Sequence, residues 1–566
     1  MKTINRTALA MLLGILASPA AAGPAGQPAD LILYHGRVFT AESPTAFAEA
    51  IAIRAEKIAA VGTSDEIAAL AGERTRRVDL QGRVVVPGFN DAHAHFSPVP
   101  AGVTLRFDTL EPSWDEVFAA LASAVTTAEP DTWIFGTVGR TVVLNEAVMR
   151  AALDRIAPRH PVLLRAFYGH GYVVSSKAMS ALGIAEDEPD PMGGYYERMP
   201  GSQEINGRMW EYAGWNHDFT LATRVPDAAA IESLRRMADE AVRFGITSMQ
   251  IFPTMPAARF VRLLVEADLP IRVRVMRMPP TSYSGRDFSD LRHIPGAAPN
   301  VTVSGIKWIL DGTPIEHGAA MRRPYADAPD RRGALNFPES EIAAMVDESL
   351  ALDEPLLLHC AGDRAAEVVL DVLEKRPRVD WKSKRVRIEH GDGVYGDLLE
   401  RARKLGVIVV QNPSHFDRDL VGDRFAADTQ FFPLRSWIEA GVPIALGSDG
   451  PMNPFLNIML ASIHPMRPAE AITRAQAVQA YTAGSAFAEL AEREKGTLSV
   501  GKRADFAVLS GDLFAVPAPE LPALTSVMTV VDGRIVYEAA TARGDGCGTL
   551  THDAGTEVAC GQEVSQ

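Results

Sequence analysis

His93 and His95, in the run VVVPGFNDAHAH, are imidazoles with one residue, Ala94, between them. In an extended chain side chains repeat every two residues, so both rings face the same way. Two neutral imidazole nitrogens facing one way can grip a metal ion, although such a pair is weak support by itself. Three further apolar runs stop at an ionisable group: PLLLHCAGD at His359, VRIEHGD at His390 and PIALGSDG at Asp449. Another, VSGIKWILDG, carries Lys307 between Ile306 and Trp308, where a buried ammonium is costly unless neutralised or modified. One such residue is usually a satisfied core polar group, whereas five strands converging on one mouth make a site.

The elements that must position these residues alternate short apolar strands with helical segments, the pattern of repeated βα units. Strand-like runs fall at 84–90, 246–251, 271–276, 303–310, 355–359, 386–390, 407–411 and 444–448. The spacing predicts an α/β fold, a (β/α)8 TIM-type barrel whose active site lies at the C-terminal ends of the strands. The count works only if about 101–225 is an insertion between the first two strands, with its own strand-like pieces TWIFGTVGR and PVLLRAFYGH, forming a lid subdomain over the barrel mouth. Both chain ends alternate apolar and polar residues around glycine turns, as in ADLILYHGRVFT and SVMTVVDGRIVYE. They imply one composite β-sandwich built from 23–85 and 491–540, flanking a barrel over 86–490 and followed by a tail over 541–566.

PGFNDAHAH, a strand histidine followed by GDRA, RIEH, GSDGP and the closing GTLSVGKRADFAVL together resemble the amidohydrolase superfamily, in particular its YtcJ-like branch. The similarity runs from about Asp30 to Tyr537. It implies one or two divalent metals, commonly zinc. By position, His93 and His95 would hold the more buried metal, His359 and His390 the more exposed one, and Asp449 would contact the buried metal and act in catalysis. Lys307 matches the place where many members carry a carboxylated lysine bridging two metals; the alternative is an unmodified lysine paired with Asp311 or another acid.

A metal lowers the pKa of bound water from about 15.7 toward 7, so hydroxide can attack a carbonyl at neutral pH. Asp449 is placed to take the proton and pass it to the leaving group, since a carboxylate can alternate between base and acid; its alternative role is to cap the following turn. The reaction expected is hydrolysis of an amide-type C–N bond in a small molecule. A deaminase or an ester or lactone hydrolase would use the same ligands, and an exported metal-binding receptor without catalysis would have no need of Asp449. His170 in FYGHGYVVSSKAM and Arg165 on the same piece are candidates for substrate contact, with packing and a structural ion pair as their rivals. Asn412 and His415, in VVQNPSHFD, are further candidates, although Asn-Pro is also a frequent turn.

The formal net charge of -15 argues against nucleic acid as a partner, because phosphates need a surplus of Lys and Arg. Residues 1–22 have the positive start, apolar stretch and Ala-Ala-Ala end of a secretory signal peptide, which implies a periplasmic or secreted protein. No later apolar run approaches the roughly 20 residues needed to span a bilayer. An oxidising compartment would let Cys547 and Cys560 pair, whereas Cys360, amid apolar neighbours, reads as a small core residue. A homo-oligomer is compatible with this sequence, as is a monomer.

Overall fold

Eight parallel strands pair in sequence order in one sheet of the protein, here a computed structural model that describes residues 27–289, 294, 298–426 and 429–540. They are β1 (Phe89–Phe96), β2 (Ile246–Pro253), β3 (Arg272–Arg277), β4 (Val301–Ile309), β5 (Leu356–Cys360), β6 (Arg387–His390), β7 (Ile408–Gln411) and β8 (Ile444–Leu446). The two edges of this sheet meet just past β8, where the Asp449 N–H donates to the His93 carbonyl at 2.9 Å and the Ser448 N–H to the Asp91 carboxylate at 2.9 Å. Helices between strands bury one stripe each. Asp227–Arg243, before β2, turns Ala230, Ile231, Leu234, Ala238, Ala241 and Val242 inward, the three-and-four spacing of an amphipathic helix. The expected barrel is therefore present.

Its first strand differs from the sequence reading. The run 84–90 is two strands: Val84–Pro87 belongs to a different sheet, and β1 begins only at Phe89. Gly88 makes the break. Its N–H donates to the Asp505 carbonyl at 3.0 Å, and a Cβ there would collide with the Thr247 side chain. Both pieces are apolar and buried, so hydropathy does not reveal the change of sheet. As a result His93 and His95 lie within β1 rather than beyond its end.

Val84–Pro87 sits inside a six-stranded sheet in the order Arg534–Glu538, Ser526–Val531, Phe506–Leu509, Val84–Pro87, Arg37–Phe39, Phe47–Ala48. Its antiparallel partner Phe506–Leu509 comes from the far end of the chain, with Ala507 opposite Val86. A four-stranded sheet from the N-terminal part faces it, and Leu31, Leu33, Ile51 and Ile53 of that sheet share one core with Val85, Phe506 and Val530. This is the composite sandwich.

Between β1 and β2 a third sheet runs in the order Gly194–Arg198, Ile205–Glu211, Gly171–Val174, Val162–Ala166, Ile134–Val138, Val103–Leu105. It has a core on each face, one including Val117, Leu121, Ile134 and Leu164 and the other Phe135, Leu163, Tyr172 and Met209. Trp210 and Tyr196 are consumed by these cores, while Tyr195 is exposed. Among the described residues no helix is long and apolar enough to cross a membrane. The signal-like residues 1–22 and the Cys547–Cys560 pairing lie outside the described residues.

Candidate metal centre

Barrel strands deliver a row of imidazoles to one mouth. Ring centroids run from His95 to His93 at 5.3 Å, His93 to His390 at 5.0 Å, His390 to His359 at 4.6 Å, and His359 to the lid residue His170 at 5.1 Å. His415 stacks on His390 at 5.5 Å. At the buried end, His93 Nε2 lies 3.3 Å from His95 Nε2 and 3.0 Å from Lys307 Nζ. Asp449 Oδ1 is 3.7 Å from the first of these imidazole nitrogens and 3.5 Å from the second. The other oxygen of the same carboxylate, Oδ2, is 3.8 Å from both His390 Nε2 and His415 Nε2. Asp449 thus divides its two oxygens between two groups of candidate ligands, each with all donor atoms within 4.8 Å of one another. Its φ of +37° turns the chain sharply there.

A residue absent from the sequence-based candidates sets the protonation of the first group. His93 Nδ1–H donates to Glu389 Oε2 at 2.6 Å, and Arg387 holds that carboxylate at 2.7 and 3.0 Å. All three side chains are fully buried. With the proton on Nδ1, Nε2 presents a lone pair to the centre, as a metal-ligating histidine requires. Arg387 also donates to Gln250 Oε1 and to the Ala92 carbonyl, so the barrel floor beneath the centre is polar and cross-braced. The signal in the sequence was two opposite charges, Arg387 and Glu389, inside one apolar strand, where neither could stay unpaired.

Electrostatics favour ligand forms. Burial, with the Lys307 charge, pushes His93 well below the usual histidine range, and burial does the same to His359 and His390, leaving neutral imidazoles. Burial works to raise Asp449, but His93, His95 and His415 outweigh it and the carboxyl sits well below its ordinary value. Burial lowers Lys307 to about 8, against the pull of Glu389 and Asp449, and its ammonium lies 4.2 Å over the Phe252 ring. Asp311 is not its partner: that carboxylate accepts from His359 Nδ1 at 3.0 Å and from the N–H groups of Ala320, Ala361 and Gly362. Lone pairs and carboxylate oxygens crowded on one point, with few protons to share, suit a divalent cation with imidazole and oxygen ligands.

The remaining candidates are spread around this centre. His170 Nδ1–H donates to both oxygens of Glu211, at 3.1 and 3.0 Å. Burial opposes its charge, but Glu211 and Glu316 raise its pKa to about 9. Arg165 is in an ion pair with Asp218 at 2.9 Å, which also accepts from the Tyr172 hydroxyl at 2.7 Å. Both Arg165 and Asp218 line a cavity of about 90 Å³ with Ser97, Pro98 and Thr137. Asn412 is fully buried, and among the described residues neither of its amide atoms has a hydrogen-bond partner. Cys360 is buried, and burial pushes its thiol up, as for an inert core residue.

Residues 76–537 match the sequence model of the amidohydrolase family. The chain belongs to that family. The amidohydrolase is 28% identical to an N-substituted formamide deformylase of Arthrobacter pascens, over 90% of this chain and 99% of that one. It is 26% identical to the putative amidohydrolase YtcJ of Bacillus subtilis strain 168, again over 90% of this chain and 99% of the relative. Among solved structures, an uncharacterized metal-dependent hydrolase from Pyrococcus horikoshii OT3 superposes with a TM-score of 0.67 at 21% identity, covering 87% of the amidohydrolase and 99% of the other chain.

Proposed function

We propose that this amidohydrolase hydrolyses an amide-type C–N bond of a small molecule at a centre of one or two divalent ions, with Asp449 as the proton carrier. The observation that carries this reading is the divided carboxylate of Asp449, one oxygen toward His93 and His95 and the other toward His390 and His415. Zinc suits the imidazole and carboxylate donors. His93, His95 and Asp449 would hold the first ion, and His359 and His390 a second, with His415 beside them. Lys307, with its amine favoured toward the neutral form, is suited to carboxylation and would then bridge the two. A divalent ion at such a site polarises a carbonyl oxygen and makes hydroxide available near neutral pH.

The chain's own residues do the rest. Asp449 Oδ2 takes the proton of the attacking water and delivers it to the departing nitrogen, which therefore leaves as an amine. Glu389 keeps the His93 lone pair aimed inward. The lid, through His170 beside His359 and Arg165 in the cavity it shares with Asp218, would contact the substrate and limit its size. The likeness to a protein named for deformylating N-substituted formamides supports small N-acyl amines as the first class to assay.

The test is metal analysis of the purified protein joined to a screen of N-substituted formamides, other N-acyl amines, N-acyl amino acids and esters. One or more equivalents of metal per chain, and amide turnover abolished by chelator and restored by zinc, are expected. A content under about half an equivalent, with turnover indifferent to chelator, overturns the reading, because the site would then supply no activated water.

A further inference from the structure

At the outer end of the imidazole row the lid and barrel build a polar cluster that the metal centre does not use. His170, Glu211 and Glu316 are all buried, with one donor atom of each within 4.8 Å of the others. His170 immediately precedes the lid strand Gly171–Val174, and Glu211 ends the neighbouring strand Ile205–Glu211. The barrel fixes Glu211 in turn. Asn336 Nδ2 donates to Glu211 Oε2 at 3.1 Å and to the Ile309 carbonyl, at the end of β4, at 3.1 Å. Gly312 admits the two carboxylates, since a Cβ there would lie 2.6 Å from Glu316 Oε1 and 2.8 Å from Glu211 Oε1. Glu211 itself has φ +56°, an uncommon conformation for a residue with a side chain, and such strain gathers at functional sites.

The His170 ring is held from three directions. Glu211 takes Nδ1–H, the Trp215 ring packs edge-on at 5.0 Å, and the His359 ring lies on another side at 5.1 Å. Trp215 is itself fixed by its Nε1–H to the Gly169 carbonyl at 2.8 Å. Among the described residues Nε2 of His170 has no hydrogen-bond partner.

We infer that Glu211 is a positioning residue which fixes the His170 imidazolium so that its Nε2–H donates to the oxygen of the scissile acyl group, making His170 a catalytic residue supplied by the lid. The inference rests on the hydrolytic reading above. Charge develops on that oxygen as the tetrahedral intermediate forms, and a donor whose direction is set beforehand stabilises it without reorganisation. Two buried carboxylates, Glu211 on Nδ1–H and Glu316 beside it, keep a proton on both nitrogens of this ring, so its Nε2 is a donor and not the lone pair that His93 presents. His170 adjoins His359 and so stands beside the place where the carbonyl must lie.

The experiment measures kcat, KM, metal content and melting temperature for the parent, His170→Ala and Glu211→Gln, on whichever carbonyl substrate the screen finds. His170→Ala should lower kcat by about 10²–10³-fold with metal content unchanged. Added imidazole should restore part of that loss. Glu211→Gln should lower kcat and kcat/KM together, by about 10- to 100-fold. Should Glu211→Gln melt early, Gly312→Ala displaces the same carboxylate from a loop and should lower kcat in the same direction. A folded His170→Ala within threefold of the parent, or one that imidazole does not rescue, overturns the assignment of His170. A Glu211→Gln that changes KM alone makes Glu211 a seat for the lid and overturns its positioning role. If the parent cleaves esters and no amide, the amide reading fails while the same variants still decide the role of His170. If it cleaves neither, both fall.

Discussion

A buried carboxylate bonded to a ligating imidazole fixes the tautomer and raises the basicity of the nitrogen that faces the metal. Glu389 is placed to do this for His93 at the proposed centre, and its own charge is balanced by Arg387 in the same strand. Glu389→Gln should therefore weaken zinc binding or activity by about 10- to 100-fold, read by competition with a chelator. It also leaves Arg387 buried without its counter-charge, a loss of about 3–5 kcal/mol in stability. Replacing both, as Arg387→Met with Glu389→Gln, should recover stability and leave zinc affinity low; unchanged affinity in either variant would remove Glu389 from the site. His93→Ala and Asp449→Asn should each abolish turnover, with metal content falling markedly in the first and less in the second, whose amide oxygen can still ligate. His93, His359, His390 and Asp449 were legible in the sequence as candidates because each ends or interrupts an apolar run. Glu211 was not, because its meaning comes from His170 and Asn336, which only the fold brings beside it.

Between elements, the decisive contacts are close approaches of backbone. Gly447, just past β8, lies against β1, and a Cβ there would collide with the His93 backbone nitrogen and sit 2.6 Å from the His93 Cβ. Gly447→Ala should thus force β8 from β1, separate Asp449 from His93 and reduce metal content, although Gly447 is no ligand. Gly441, at the left-handed end of helix Leu434–Ala440, has open space around it. Its alanine variant should cost about 1–2 kcal/mol in stability and leave metal content unchanged. Equal metal content in the two variants would refute this account of Gly447. Strand number and order were legible because fully buried parallel strands read as short apolar runs. The break at Gly88 was not, since its cause is the Thr247 side chain in β2, remote in sequence.

At the scale of the whole chain, the sandwich joins both ends through Phe506, which is fully buried opposite Pro87 and Val530. Phe506→Ala should cost about 3–5 kcal/mol, seen as a lower denaturation midpoint. A midpoint equal to the parent's would mean that the sandwich contributes little to the stability of the molecule. That two β-rich ends assemble together could be read from matching alternation at both termini; which strands meet could not, because every candidate there is similarly apolar. Export remains our proposal for residues 1–22, tested by whether the mature N-terminus starts near Gly23.

The pairing of Val86 with Ala507 sets a schedule as well as a shape. A ribosome adds about 5–20 residues per second, so the strand Val84–Pro87 is made on the order of 20–80 s before the partner that covers its edge. For that interval a run of four apolar residues has an unpaired edge, the kind of surface on which nascent chains aggregate. Moving the closing segment to the front of the gene by circular permutation would shorten the wait, and the yield of native enzyme should then depend less on chaperones.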